Sequence, residues 1–281
     1  MYILVCPCIL SPDLRARGIT SSRDLELFSR ARERCQKFGL EMVPLPCPES
    51  MHLGNDREPA TYLDRLNTRE FDDLLDALEQ QTREIIAERG PPLCILGVNS
   101  SPACGVDTMY YGPGSAGPAG KRAGRGVFLN RFPEIPAVDV EFFANYRIYL
   151  AAPLFSEAER DFNRKLYKIL TSHFFQVYLP QEAGDDTCSR SHEAHREIFQ
   201  KHVEAFRSID IVVAVVDGAD ADSGTAWEMG YAYGTGKPVI ALRTDFRMAG
   251  RCEHVNLMLE KSAKVVGSTG ELLRVLRVPG A

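Results

Sequence analysis

The 281-residue chain contains no apolar run long enough to span a bilayer, so a membrane partner is not expected. It has no surplus of positive charge: 33 Lys and Arg stand against 38 Asp and Glu, a net charge of −5, and a surface that holds nucleic acid would need the opposite. The opening Met1-Tyr-Ile-Leu-Val-Cys-Pro-Cys8 carries no charged n-region and reads as a strand, not as a secretory signal. The expected compartment is the cytoplasm, where the eight Cys are reduced thiols, metal ligands or catalytic groups and not disulfides. What is present is an ordinary soluble composition, 44% hydrophobic and 25% charged, at a length that favours two domains over one.

In the N-terminal half, Tyr2–Cys6, Met42–Pro46 and Leu93–Gly97 read as strands. Ser21 or Ser22 caps a helix to Phe38, with Leu25, Leu27, Phe28, Ala31 and Cys35 as its inward face. A second helix runs from about Arg69 to Glu88, with Asn67 and Glu70 in a capping arrangement. The polar stretch Ser50–Leu66 reads as weakly structured, the Gly-rich Tyr110–Gly126 as a loop, and Phe132–Asp139 as a Pro-stiffened connection between domains.

Cys8, Cys47 and Cys104 each follow the end of a predicted strand. In a parallel sheet those ends share one edge, so three distant thiols converge there. A thiolate trio suits a soft metal centre and leaves one iron of a [4Fe–4S] cluster open; the competing reading is that Cys is a small residue that buries well. Burial is the reading for Cys35 and Cys94, while Cys188 and Cys252 stand as isolated thiols.

In the C-terminal half, strands at 148–152, 174–179, 211–216, 239–242 and 263–267 alternate with helices at 156–171, 192–207, 225–236 and 270–276. Ala158, Phe162, Leu166 and Ile169 form the apolar side of the first helix, and Gln181–Arg190 reads as an acidic loop. This alternation predicts an α/β fold with two domains, residues 1–138 and 146–281, each a parallel sheet flanked by helices. The second is flavodoxin- or Rossmann-like with about five strands. His192 and His195 read as solvated, and Trp227 as a packing residue.

The organising stretch is Asp217–Ala232, which follows the β-branched run Ile211–Val216. Ser223 or Gly224 reads as the cap of the helix after it. Asp222 and Glu228 then stand beside the crevice where open α/β sheets bind ligands. Two readings are open. An ionised Glu attacks an anomeric carbon while a second carboxylate orients the substrate, or Asp222 caps the helix and Glu228 is solvated.

Asp-Ser-Gly-Thr-Ala-Trp-Glu-Met-Gly-Tyr-Ala232 resembles the signature of the nucleoside 2-deoxyribosyltransferase family. Arg147–Phe155, Ser208–Asp217 and Val255–Met258 resemble its other motifs in order, over about residues 146–276. The resemblance implies a double displacement in which Glu228 attacks C1′ of a 2-deoxyribonucleoside. Tyr149 tunes Glu228. Asp210 and Asp222 hold sugar hydroxyls, with Ser223 and Gly224 beside them as substrate contacts. Asn256 of a neighbouring subunit reaches the 5′-hydroxyl, which implies a homo-oligomer and no cofactor for this domain. A carboxylate at Asp222 repels a phosphate, so nucleosides are expected over nucleotides. Alternatives are a nucleoside 5′-monophosphate N-glycosidase and a non-catalytic nucleoside-sensing module.

Cys8-Ile-Leu, Cys47-Pro-Glu49, Ser101-Pro-Ala-Cys-Gly105 and Gly124-Arg-Gly-Val-Phe128 resemble the 2-thiouracil desulfurase family, over about residues 1–135. This implies a [4Fe–4S] cluster on Cys8, Cys47 and Cys104, with Glu49 and Ser101 as proton-handling groups near the substrate, a thiolated nucleobase. The Tyr-Asp-Gly part that this family carries after its first Cys motif is missing here.

Overall fold

A computed structural model describes residues 1–112, 120–183, 191–248 and 253–279. Cys188, Cys252, the middle of the Gly-rich loop and the end of the acidic loop lie outside the described residues. The chain divides into two compact units, Met1–Ala144 and Asn145–Pro279.

In the first unit, β1 (Tyr2–Val5) is buried along its whole length. It leads to α1 (Ser22–Phe38), where Ser21 and Asp24 form a reciprocal capping box and Gly39 closes the helix at φ +64°. The strand β2 (Glu41–Pro44) follows, then the short α2 (Pro48–Leu53) and a π-helical turn at Tyr62–Leu66. Next come α3 (Arg69–Arg89), β3 (Ile95–Gly97), the antiparallel pair β4 (Thr108–Tyr110) and β5 (Lys121–Ala123), β6 (Ala137–Asp139) and α4 (Val140–Ala144). Four strands make a parallel sheet in the order β2-β1-β3-β6.

Four expectations change here. Leu25 is 48% exposed. The buried stripe of α1 is Phe28, Ala31, Arg34 and Cys35, and Arg34 fits because its Nη1 donates to the Phe143 carbonyl at 2.9 Å. The stretch Ser50–Leu66 is not weakly structured: Pro48 starts α2 with its φ already set, and Thr61 and Asp64 box the start of the π turn. The cap of α3 is Thr68, which accepts from Phe71 N–H at 3.2 Å, and not Asn67. The expected connection 132–139 contains an edge strand; Pro is tolerated just before it because Pro136 only has to accept, from Ile95 N–H at 2.8 Å.

The second unit contains β7 (Arg147–Ala151), α5 (Glu157–Ser172), β8 (Gln176–Tyr178), α6 (Pro180–Ala183), α7 (His192–Ser208), β9 (Ile211–Val215), α8 (Ser223–Gly234), β10 (Val239–Leu242), α9 (Leu257–Ser262), β11 (Lys264–Val266) and α10 (Thr269–Val275). Its five strands are all parallel, in the order β11-β10-β9-β7-β8. That order reverses at β7, which makes the β7–β9 boundary the switch point of a flavodoxin-like sheet. The buried stripe of α5 is Asn163, Leu166 and Leu170, with Ala158 exposed: Asn163 takes a core place because its amide donates to the Pro153 carbonyl at 2.8 Å and to Gln181 Oε1 at 3.0 Å. Among the described residues no helix is long and apolar enough to cross a membrane.

Candidate active sites

The C-terminal site stands on the face of the sheet under α7 and α8. Tyr149 lies opposite Tyr178 in the β7–β8 register, so both side chains leave the same face. Their rings stack at 5.2 Å, and Phe206 stacks on Tyr149 at 4.2 Å. The Tyr149 hydroxyl donates to Glu228 Oε1 at 2.5 Å. The Tyr178 hydroxyl stands 3.0 Å from His202 Nδ1. Two neighbouring phenols are therefore each held by a titratable group, one from α8 and one from α7.

Glu228 is not solvated. Burial pushes its carboxyl group up to about 7, the Tyr149 hydrogen bond pulls against that shift, and the charge of Asp222 adds to it. Burial, then the charge of Glu228, raise Tyr149, so Tyr149 stays a donor. Asp222, and not Ser223 or Gly224, is the cap of α8: its Oδ2 accepts from Thr225 N at 2.9 Å. Glu228 lies on the second turn of that helix and Asp222 at its mouth, with exposed Ser223 and Gly224 between them.

Asp210 precedes β9, at the end opposite Asp222. Its Oδ2 accepts from the N–H groups of Tyr146 at 3.1 Å and Arg147 at 2.9 Å, which fastens the start of β7. Asn256 caps α9, accepts from Met258 N–H at 3.0 Å, and is exposed next to exposed Leu257 and Met258. His192 and His195 are exposed, as expected. Trp227 is 46% exposed, stacks on Tyr231 at 5.2 Å and meets the Phe199 ring at 5.6 Å. Buried Arg243 laces the loops after β9 and β10, donating to the carbonyls of Val216 at 2.5 Å, Gly218 at 3.0 Å and Arg247 at 2.7 Å.

The N-terminal site is a cavity of about 400 Å³ lined by Cys8, Cys47 and Cys104, which follow β1, β2 and β3. The thiols feel one another: burial raises Cys8, and Cys104 and Cys47 raise it further. Cys104 is raised by its hydrogen bond with Cys6 and by burial. Cys6 itself is fully buried at the end of β1 and does not line the cavity. Ser101 Oγ donates to Glu49 Oε1 at 2.8 Å and accepts from Cys104 N–H at 2.9 Å.

The backbone around Cys104 is tightly set. A Cβ on Gly105 would come within 2.2 Å of the Thr108 carbonyl oxygen, and one on Gly126 within 2.4 Å of the Ala103 carbonyl carbon. Asn99 Oδ1 accepts from the N–H groups of Val106 at 3.1 Å and Asp107 at 2.8 Å, while Asp139 accepts from Asn99 N–H at 2.7 Å. Ser100, on the cavity wall, holds a positive φ of 69°, a strain this web sustains.

Residues 148–266 match the family model described as nucleoside 2-deoxyribosyltransferase. That match spans most of the C-terminal unit. The deoxyribosyltransferase match contains Tyr149, Asp222, Glu228 and Asn256. Residues 1–117 match the model described as "Putative 2-thiouracil desulfurase", which contains the three cavity thiols. Similar solved structures include a conserved protein from Enterococcus faecalis V583, at 30% identity over 47% of this chain and 96% of that one, TM-score 0.40. A 2-deoxyribosyltransferase from the psychrotolerant bacterium Bacillus psychrosaccharolyticus gives 26% identity over 47% and 96%, TM-score 0.41. A [4Fe–4S]-dependent thiouracil desulfidase gives 14% identity over 72% and 98%, TM-score 0.31. No curated protein matches the chain.

The donor set fits an iron–sulfur group. Among the described residues no three His, Cys, Asp or Glu side chains meet at a point that would hold one ion. A four-iron cluster does not need such a point, because each Cys ligates a different iron and the sulfurs stand apart around it. Three thiols on the segments after three strands line one cavity, as such a cluster requires.

Sequence reasoning missed Tyr178, His202, Arg243 and Arg57, which is buried in the N-terminal cavity wall 3.6 Å from Glu49. Tyr178 was open to discovery by pairing the first two strands. His202 on α7 carries no local signal, and neither do the two buried arginines.

Proposed function

We propose that the C-terminal unit exchanges the base of 2-deoxyribonucleosides by double displacement, with Glu228 as nucleophile. The observation that carries this reading is the 2.5 Å hydrogen bond from Tyr149 to a carboxyl group held at the switch point of the sheet. The Glu228 oxygen bonds to C1′, the C1′–N bond breaks, and its electron pair leaves with the base nitrogen, which takes up a proton. An incoming base then attacks C1′, gives up its proton, and the C1′–O bond breaks to return the carboxylate. Positive charge builds on the sugar ring in both steps, and a close carboxylate stabilises it.

Burial alone would keep Glu228 as the acid; the Tyr149 hydroxyl favours the ionised nucleophile. Asp222 uses Oδ2 on the helix and offers Oδ1 to a sugar hydroxyl, with Ser223 and Gly224 beside it. Its charge disfavours a 5′-phosphate, which supports nucleosides as substrates. Asp210 anchors β7 in this reading and is not given a sugar contact. Tyr178 and His202 form the second wall of the site. A second copy of the chain covers exposed Leu257 and Met258 and brings Asn256 to the 5′-hydroxyl.

The N-terminal unit, in the same proposal, removes sulfur from a thiolated nucleobase. Cys8, Cys47 and Cys104 would hold a cluster that would supply an iron without a protein ligand for the sulfur, while water gives the ring carbon its oxygen and the sulfur leaves as sulfide. Glu49 and Ser101 hold and move the proton at the ring, through the hydrogen bond they share.

The test is to incubate anaerobically purified protein with 2-deoxyribonucleosides, their 5′-monophosphates and an excess of a different free base, beside Glu228→Ala. A new nucleoside made by the wild type, and reduced at least about a thousandfold in the variant, is the expected result. Free base without exchange would make the unit a hydrolase. No turnover of any substrate would sink the glycosidic reading.

A further inference from the structure

His202 takes no step in the chemistry proposed above, yet it is built into the C-terminal site. It is half-buried on α7, and its Nδ1 stands 3.0 Å from the Tyr178 hydroxyl. Burial, then the charge of Lys201, hold the imidazole below its ordinary range, so the ring is mostly neutral at the pH where Glu228 titrates. Lys201 itself is tied to the Ala183 carbonyl by its Nζ at 2.5 Å.

The place of Tyr178 explains why it needs a partner. It is the last residue of β8, an edge strand of the five-stranded sheet, and its ring is only half-buried. Two rings stack on that of Tyr149, Phe206 at 4.2 Å and Tyr178 at 5.2 Å. Phe206 is 2% exposed and meets Tyr231 of α8 edge-on at 5.2 Å, so packing fixes it. Tyr178 has less around it, and stacking tolerates a range of ring offsets. A hydrogen bond at the hydroxyl end of the phenol removes that freedom. His202 and Phe206 stand four residues apart, so one face of α7 supplies both supports. Tyr149 in turn donates to Glu228 Oε1 at 2.5 Å, and that bond opposes the rise of the Glu228 carboxyl group. Hydrogen bonds weaken steeply with angle, so a small shift of the Tyr149 ring loosens this one.

We infer that His202 is a positioning residue: it holds the Tyr178 hydroxyl, fixes the ring that stacks on Tyr149, and so keeps the Tyr149 hydroxyl on Glu228. The titratable groups along this line are Glu228 with Asp222 at the mouth of α8, Tyr149 on β7, Tyr178 on β8, and His202 with Lys201 on α7. The effect on rate rests on the reading of Glu228 as nucleophile; the effect on its ionisation stands apart from that reading.

The test is the Glu228 titration, followed by NMR in the full anaerobically purified chain labelled at its glutamate carboxyl carbons, with Glu228→Gln to assign the signal. The pH profile of kcat/KM for base exchange is measured beside it. Wild type is compared with His202→Ala, His202→Asn, Tyr178→Phe and the double variant of His202→Ala with Tyr178→Phe, after thermal melts to check folding. His202→Ala should move the titration above about 7 and slow exchange at neutral pH by roughly threefold. Tyr178→Phe keeps the ring, loses only the hydroxyl, and should do the same. The double variant should do no more than the larger single change, because both remove one interaction. His202→Asn brings an amide near the place of Nδ1 and carries no titratable group, so it should keep the titration close to that of the wild type. A titration that stays in place in His202→Ala and Tyr178→Phe, or that falls as water enters beside Glu228, overturns the inference. So does His202→Asn moving as far as His202→Ala, since the imidazole proton and not the hold on Tyr178 would then be at work. If His202→Ala does not fold, Tyr178→Phe and His202→Asn decide. A wild type that titrates but turns over no substrate would sink the glycosidic reading alone, and the NMR titrations would still decide the inference.

Discussion

The two units use the same kind of sheet but set their candidate sites at different depths in it. In the first, every chemical group stands beyond the strands: Cys8, Cys47 and Cys104 lie after β1, β2 and β3, and Glu49 and Ser101 lie close by on α2 and the loop after β3. In the second, Tyr149 is the middle residue of β7 and Glu228 lies inside α8. The loop site is held by a web of backbone contacts through Asn99, Asp139, Gly105 and Gly126. The element site needs one register and one hydrogen bond. A site on loops must have its geometry over-determined, because loops bring no geometry of their own.

The sharpest way to break this comparison is Cys47→Ser. It should abolish bound iron and acid-labile sulfide in anaerobic protein while base exchange in the C-terminal unit persists, which metal analysis and the exchange assay read together. Iron retained in the variant would remove Cys47 from the ligand set.

A smaller effect is expected for Tyr149→Phe. The hydrogen bond from Tyr149 opposes the rise of Glu228, so its loss moves the Glu228 titration above about 7. The nucleophile must be ionised, so the acid limb of kcat/KM should move to higher pH, with a loss of roughly tenfold at neutral pH. An unmoved limb would show that Tyr149 does not tune Glu228.

Asp222→Asn should act in the opposite direction and more weakly. The charge of Asp222 raises Glu228, so its removal lowers that titration and shifts the acid limb to lower pH. Asn still caps a helix, so the melting temperature should stay nearly constant, whereas Asp222→Ala should cost about 1 kcal/mol. A limb that moves up in Asp222→Asn would contradict the charge argument.

The parts of this molecule that sequence made legible are local. The β-branched run at 211–216 announced β9, and Gly39 and Ser21 announced the ends of α1 within a residue. Errors arose where a residue's role depends on what lies across from it. Leu25 fits the helical period of α1 but faces water, because the buried stripe turns toward Phe143 and admits Arg34. Phe132–Asp139 looked like a connection because its prolines are typical of one. A strand at a sheet edge tolerates proline, and nothing in the sequence says which strand will be at the edge. The Asp before β9 accepts through one carboxylate oxygen from the N–H groups of Tyr146 and Arg147 at the start of β7, a contact its place in the sequence does not show.

By itself, the sequence determined the alternation of strands and helices, the placing of two thiols just past strand ends and a third on the loop after β3, and a Glu on the helix after the third strand of the second unit. These follow from hydrophobic period and turn chemistry, which act over a few residues. The tertiary structure alone decided that Tyr178 lies beside Tyr149, that His202 and Glu228 reach neighbouring phenols from two helices, and that Arg57 is buried short of partners against Glu49. Strand order, register and burial bring together residues tens of positions apart, and no local pattern carries that information.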